Sequence, residues 1–142
     1  MYHTRDTIAS LHLPSEDDWH LLLKHAESET FTHGETIVEE GQRMYTVYQV
    51  VSGRCAVVSN GIDVGSISEG ELFGDMTLLL GGECTATVKA DTPHVTLLKI
   101  PGAVINELLQ EDHALASRFF HYLATVCQKR LGALMRSMGE LV

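Results

Sequence analysis

Apolar positions along this chain change their spacing twice. Near the N-terminus, Trp19, Leu22, Leu23 and Ala26 recur at the three-to-four-residue interval of one helix face. Pro14-Ser15-Glu16-Asp17-Asp18 precedes them, with Ser15 suited to cap and three acids suited to the positive end of a helix dipole. Together these predict an amphipathic helix over about residues 15–28. From Thr30 to about Pro101 the spacing shortens. β-rich runs at 35–40, 47–51, 55–59, 62–67, 85–90 and 94–100 alternate with Gly34, Gly41, Gly53, Gly61, Gly65, Gly70 and Gly74. Short, evenly spaced strands predict a small antiparallel roll or barrel rather than a parallel sheet. Asn60-Gly61 is a strong two-residue hairpin turn.

Residues 75–80 interrupt the strand pattern with a length that fits a one-turn helix, opened by Gly74 and Asp75 and closed by Gly81-Gly82. From Gly102 the helical spacing returns, with one helix over about 103–109 and a second over about 113–138 capped by Asp112. No linker, low-complexity tract or internal repeat divides residues 1–142, so a single α+β domain is expected.

Charge narrows the partners. A net charge of −9 argues against broad nucleic-acid binding, which needs a basic face to displace counterions. It also means that an anionic ligand must find a local positive spot in an acidic molecule. No apolar run approaches the ~20 residues that cross a bilayer, so no direct membrane insertion is expected. The opening MYHTRDTIAS lacks the basic-then-apolar order of a secretory signal. Cys55, Cys84 and Cys127 are an odd, scattered set without CxxC spacing, which favours a reducing, cytoplasmic compartment over a disulfide framework or a zinc site. His3, His12, His20, His25, His33, His94, His113 and His121 form neither HxxxH nor HxH, so they read as surface or boundary residues rather than metal ligands. No nucleophile elbow is present, and enzymatic activity is not expected.

The stretch from Gly70 to Ala90, GELFGDMTLLLGGECTATVKA, carries the most specific signal. With Phe31, Gly34, Glu35, Ile37, Gly41, Tyr48, Val50, Gly53 and Val64-Gly65 before it, the ordered set resembles the cyclic nucleotide-binding domain family. The resemblance covers roughly residues 31–131, and the part from Leu79 onward is also similar to domains attached to bacterial sulphate-permease-type transporters. The family implies a jelly-roll-like antiparallel β-roll of about eight strands with an N-terminal helix, a short phosphate-cassette helix and two C-terminal helices. It also implies a regulatory domain for cAMP or cGMP, with a pocket at Phe73, Gly74, Asp75, Met76, Thr77, Cys84, Thr85 and Ala86. Unpaired N–H groups at the start of the short helix would cradle the phosphate, with Gly74 leaving room for its approach. The acid that binds the ribose 2′-hydroxyl is here Asp75, where glutamate is usual.

One residue departs from the pattern. The family places an arginine against the cyclic phosphate, and this chain has Cys84 there with Glu83 beside it. A thiol supplies no cation, and a thiolate would repel phosphate. Losing such a charged partner implies roughly 10- to 1000-fold weaker binding. Cys84 also reads as a small buried residue or a redox-sensitive thiol. Thr77, Thr85 and Thr87 keep hydroxyls, Thr85 where relatives that prefer cGMP often have one. The expected function is a ligand-sensing or interaction domain with weak or altered cyclic-nucleotide binding. A working cAMP or cGMP receptor and a ligand-free dimerisation module stand as alternatives.

The last helix carries two apolar stripes. Ala116, Phe120, Leu123, Cys127, Leu131, Leu134, Met138 and Leu141 step in near-heptad rhythm, and Leu115, Phe119, Tyr122 and Val126 form a second row. The second row is expected to pack on the roll and the first to form a homodimer seam or an effector contact, with a single wide stripe folding back on its own domain as the alternative.

Overall fold

A computed structural model of the chain describes residues 13–74 and 81–137. These fall into two compact units, one of the helices before His25 and after Val104, the other spanning His25–Val104.

In the helical unit, α1 is Glu16–Leu23, α2 is Gly102–Glu111 (whose first turn belongs to the other unit) and α3 is His113–Ser137. The start of α1 is a reciprocal capping box. Ser15 Oγ accepts from the Asp18 N–H at 3.2 Å, and Asp18 Oδ2 accepts from the Ser15 N–H at 2.8 Å. The α1 helix stops at Leu23, five residues before the expected end, because residues 27 onward are claimed by a sheet. At the start of α3, Asp112 Oδ1 accepts from the Leu115 N–H at 3.0 Å, the cap expected of it. Leu22, Ile105, Leu109, Leu115, Phe119 and Leu123 are buried, and Trp19 meets Tyr122 edge-on at 5.1 Å.

The other unit is an antiparallel roll of eight strands in two four-stranded sheets: β1 Glu27–Thr32, β2 Thr36–Val38, β3 Thr46–Ser52, β4 Cys55–Ser59, β5 Ile62–Ile67, β6 Leu72–Phe73, β7 Thr87–Ala90 and β8 His94–Pro101. One sheet runs β1-β8-β3-β6 and the other β2-β7-β4-β5. Asn60 (φ 52°) and Gly61 (φ 76°) make the tight turn between β4 and β5, both left-handed as a type I′ hairpin requires. The inner faces meet in one apolar cluster that includes Val38, Met44, Val50, Cys55, Ile67, Phe73, Cys84, Val88 and Leu97.

Two strands differ from expectation. The polar sequence of β1, ESETFT, carries no clean alternation, and its six-residue pairing with β8 makes it a strand. The two-residue β6 is too short to leave a periodic signal and is set by its register on β3, Tyr48 opposite Phe73. The expected short helix at residues 75–80, with Asp75, Met76 and Thr77, lies outside the described residues. Among those residues no helix is long and apolar enough to cross a membrane.

Candidate functional site

Four backbone hydrogen bonds anchor the described part of the cassette. The Gly70 N–H donates to the Val50 carbonyl at 2.7 Å, and the Val50 N–H donates to the Glu71 carbonyl at 3.0 Å, which ties the cassette's entry to β3. On the far side, the Cys84 N–H donates to the Gln42 carbonyl at 2.9 Å, and the Cys84 carbonyl accepts from the Gly41 N–H at 2.8 Å. Between these bonds Arg43 and Glu83 face each other in an antiparallel bridge. Position 84 is therefore fixed by its backbone, whatever side chain it carries.

Side chains alternate across this ladder. Met44 and Cys84 join the buried cluster, whereas Arg43 and Glu83 are exposed. Cys84 is only 6% exposed, so the thiol sits where a longer side chain would enter the roll. Glu83 lies outside, so its carboxylate adds negative potential without entering the core. Thr85 is exposed and Ala86 half-buried, and the Thr85 carbonyl accepts from Ser59 Oγ at 3.4 Å. Thr87 Oγ1 is engaged, accepting from the Glu40 N–H at 3.0 Å, which binds the loop after β2 to β7.

Gly74 has a packing role of its own. Its φ is +85°, and a Cβ there would lie 2.5 Å from the Thr46 carbonyl oxygen and 2.9 Å from Met44 Cε. Phe73, just before it, is buried and stacks on Tyr48 at 4.9 Å with the rings 12° apart.

A row of four residues, two of them missed in the sequence, crosses the sheet at this level. Glu27 pairs with Lys99, Lys99 with Tyr48, and Tyr48 with Phe73, across β1, β8, β3 and β6. Lys99 Nζ is 3.0 Å from Glu29 Oε2, and that hydrogen bond holds the ammonium's pKa above its ordinary value. Burial raises the Tyr48 phenol, which also feels Lys99, Glu29 and Cys84. Tyr48 and Phe73 of this row belonged to recognised motifs, whereas Glu27 and Lys99 did not. Those two are polar residues in strands, whose juxtaposition depends on the register of β1 on β8. A shallow cleft of about 290 Å³ borders the row, lined by Glu27, Tyr45, Thr46, Lys99, Pro101, Gly102 and Ala103.

Cys55, Cys84 and Cys127 form no disulfide among the described residues, and burial pushes the Cys55 thiol up to about 11. Among the described residues no group of His, Cys, Asp and Glu is placed to hold a metal ion.

The chain is similar to known proteins in sequence and in fold. The chain is 36% identical over 129 residues to the cyclic GMP-binding protein C of Dictyostelium discoideum, in an alignment covering 82% of this chain and 5% of that protein. The chain thus spans a small fraction of that relative's length. The c-di-GMP-responsive global regulator CLP of Xanthomonas campestris superposes with a TM-score of 0.78 at 19% identity, covering 89% of this chain and 64% of that one. The regulatory subunit of a cAMP-independent protein kinase A from Trypanosoma cruzi, bound to guanosine, superposes with a TM-score of 0.61 at 20% identity, covering 75% of this chain and 41% of that one. The family model described as the cyclic nucleotide-binding domain matches residues 28–112, which contain the whole cassette and nearly all of the roll. With that model matched over more than half its length, the chain belongs to the cyclic nucleotide-binding domain family.

Proposed function

We propose that this domain is a cytoplasmic, non-enzymatic ligand-sensing module whose pocket holds cyclic nucleotides weakly. The carrying observation is Cys84, held by Gly41 and Gln42 at the clamp position and buried in the apolar cluster. The pocket is formed by Phe73, Gly74, Cys84, Thr85 and Ala86, together with Asp75, Met76 and Thr77, which lie outside the described residues. A phosphate brought there loses water and gains no cation in return. Competition against a fluorescent cyclic nucleotide tests this reading, with half-saturation for cAMP and cGMP expected well above micromolar. Sub-micromolar binding of either would overturn it.

A working cGMP receptor is the second reading. It is favoured by the name of the Dictyostelium relative and by the hydroxyl of Thr85. The two solved neighbours bear on the altered pocket, since one responds to c-di-GMP and the other was bound to guanosine. The output element is α3, where exposed Phe120, Leu131 and Met135 offer an apolar face to a second copy or an effector. Ligand occupancy would act by favouring one position of that helix over another.

A further inference from the structure

We propose that the shallow cleft at the end of β8 is a docking site for an arginine side chain carried by a partner polypeptide. The cleft shares no residue with the proposed ligand pocket, so it stands independently of that reading. All of its lining belongs to the roll unit. Its volume, about 290 Å³, falls at the bottom of the ~300–1,000 Å³ range of small-molecule pockets, which suits one long side chain better than a whole nucleotide.

Three features of the lining select the occupant. The first is an aromatic ring in solvent. Tyr45 is 63% exposed, and among the described residues its ring meets no other aromatic ring. Its backbone is fixed, because the Tyr45 carbonyl accepts from the Gly102 N–H at 2.6 Å. That bond also occupies the first N–H of α2, which lessens the pull of the helix start on an anion. The second feature is an apolar border, Pro101 and Ala103, both exposed, against which a methylene stem can lie. The third is an unspent carboxylate. Lys99, the cation of the lining, holds Glu29 at 3.0 Å. Glu27 stands opposite Lys99 in register yet makes no ion pair or hydrogen bond among the described residues. One ammonium against two carboxylates leaves a negative charge at the cleft.

A guanidinium meets all three features. Its plane stacks on a tyrosine face, its fork of donors fits a carboxylate, and its stem is apolar. A lysine offers the charge without the plane. A carboxylate would meet surplus negative charge and an ammonium already neutralised. The chain's net charge of −9 draws a basic partner toward the molecule before contact.

The test is an amide-resolved NMR titration of the intact chain with a set of blocked glycine peptides that differ only in a central arginine, citrulline, lysine or glutamate. The arginine peptide should shift the amides of Glu27, Tyr45, Thr46, Lys99 and Gly102 and saturate in the millimolar range. The citrulline peptide, which keeps the shape and loses the charge, should bind at least roughly fivefold weaker. The lysine peptide should bind more weakly than the arginine peptide, and added salt should weaken the latter. Glu27→Gln and Tyr45→Leu, both at exposed positions, should each lower its affinity by about threefold or more. Tyr45→Phe, which keeps the ring face, should bind like wild type. No shift at those amides, equal affinity for the citrulline peptide, or tighter binding of the glutamate peptide overturns the assignment. So does full affinity in a folded Glu27→Gln or Tyr45→Leu. The peptide series on wild type decides the matter even where a variant fails to fold.

Discussion

At the scale of single residues, positions 74 and 84 do different work. Gly74 holds a left-handed backbone against Thr46 and Met44. Gly74→Ala should therefore destabilise the domain by about 1–3 kcal/mol in urea denaturation, from backbone strain and the carbonyl contact. An unchanged midpoint would mean that the glycine serves the ligand alone. From its place in the cassette, Cys84 was expected to stand where the family has an arginine. Its burial as a small side chain was read from the sequence and is found, beside Met44 in the core. That Glu83 turns outward opposite Arg43 was not legible, because a two-residue bridge has no periodicity of its own. The neutralised Lys99 was hidden for a related reason. Glu27 and Glu29 sit in a segment whose helical pattern runs on from Ala26, and only the pairing with β8 turns them toward Lys99.

At the scale of elements, caps and turns were the readable features and tertiary pairing was not. Ser15, Asp112 and Asn60-Gly61 each act within three residues, so their chemistry is local. The helix–helix tie of Asp18 to Arg118 spans the chain, with Oδ2 accepting from Nε at 2.7 Å and Oδ1 from Nη2 at 2.9 Å. No sequence pattern announced it. The Arg118 hydrogen bond, aided by the Ser15 N–H, holds the Asp18 carboxyl at about 2, below its ordinary 3.8, against the upward push of burial. A carboxyl depressed in the folded state stabilises above its unfolded value and loses that contribution as pH falls through the folded one. Wild type should therefore exceed Asp18→Asn in stability at pH 5–7, and the gap should close between about pH 4 and 2. Denaturant titrations across that range decide it, and a gap independent of pH would remove the ion pair from the account.

At the scale of the whole molecule, the roll and its helices were legible because glycine spacing and the change of period mark their limits. The two stripes on α3 were read half correctly. Leu115 and Phe119 are buried as expected, but Leu123, assigned to the outer seam, is buried with them. Leu123 lies four residues after Phe119 and eight after Leu115, so it continues their buried stripe, while Phe120 and Leu131 fall farther round the helix. Met138 and Leu141 lie outside the described residues, leaving Phe120 and Leu131 exposed in that row, with Met135 exposed nearby. Light scattering should find a dimer that Leu131→Glu converts to monomer; a monomeric wild type would leave α3 for an effector instead. The central claim is that the clamp has lost its cation while its scaffold remains. Its most direct test is calorimetric titration of cGMP and cAMP into wild type and Cys84→Arg. The account predicts weak binding to wild type and at least on the order of tenfold tighter binding to the arginine variant. Sub-micromolar binding by wild type, or a folded Cys84→Arg with no gain, would contradict it.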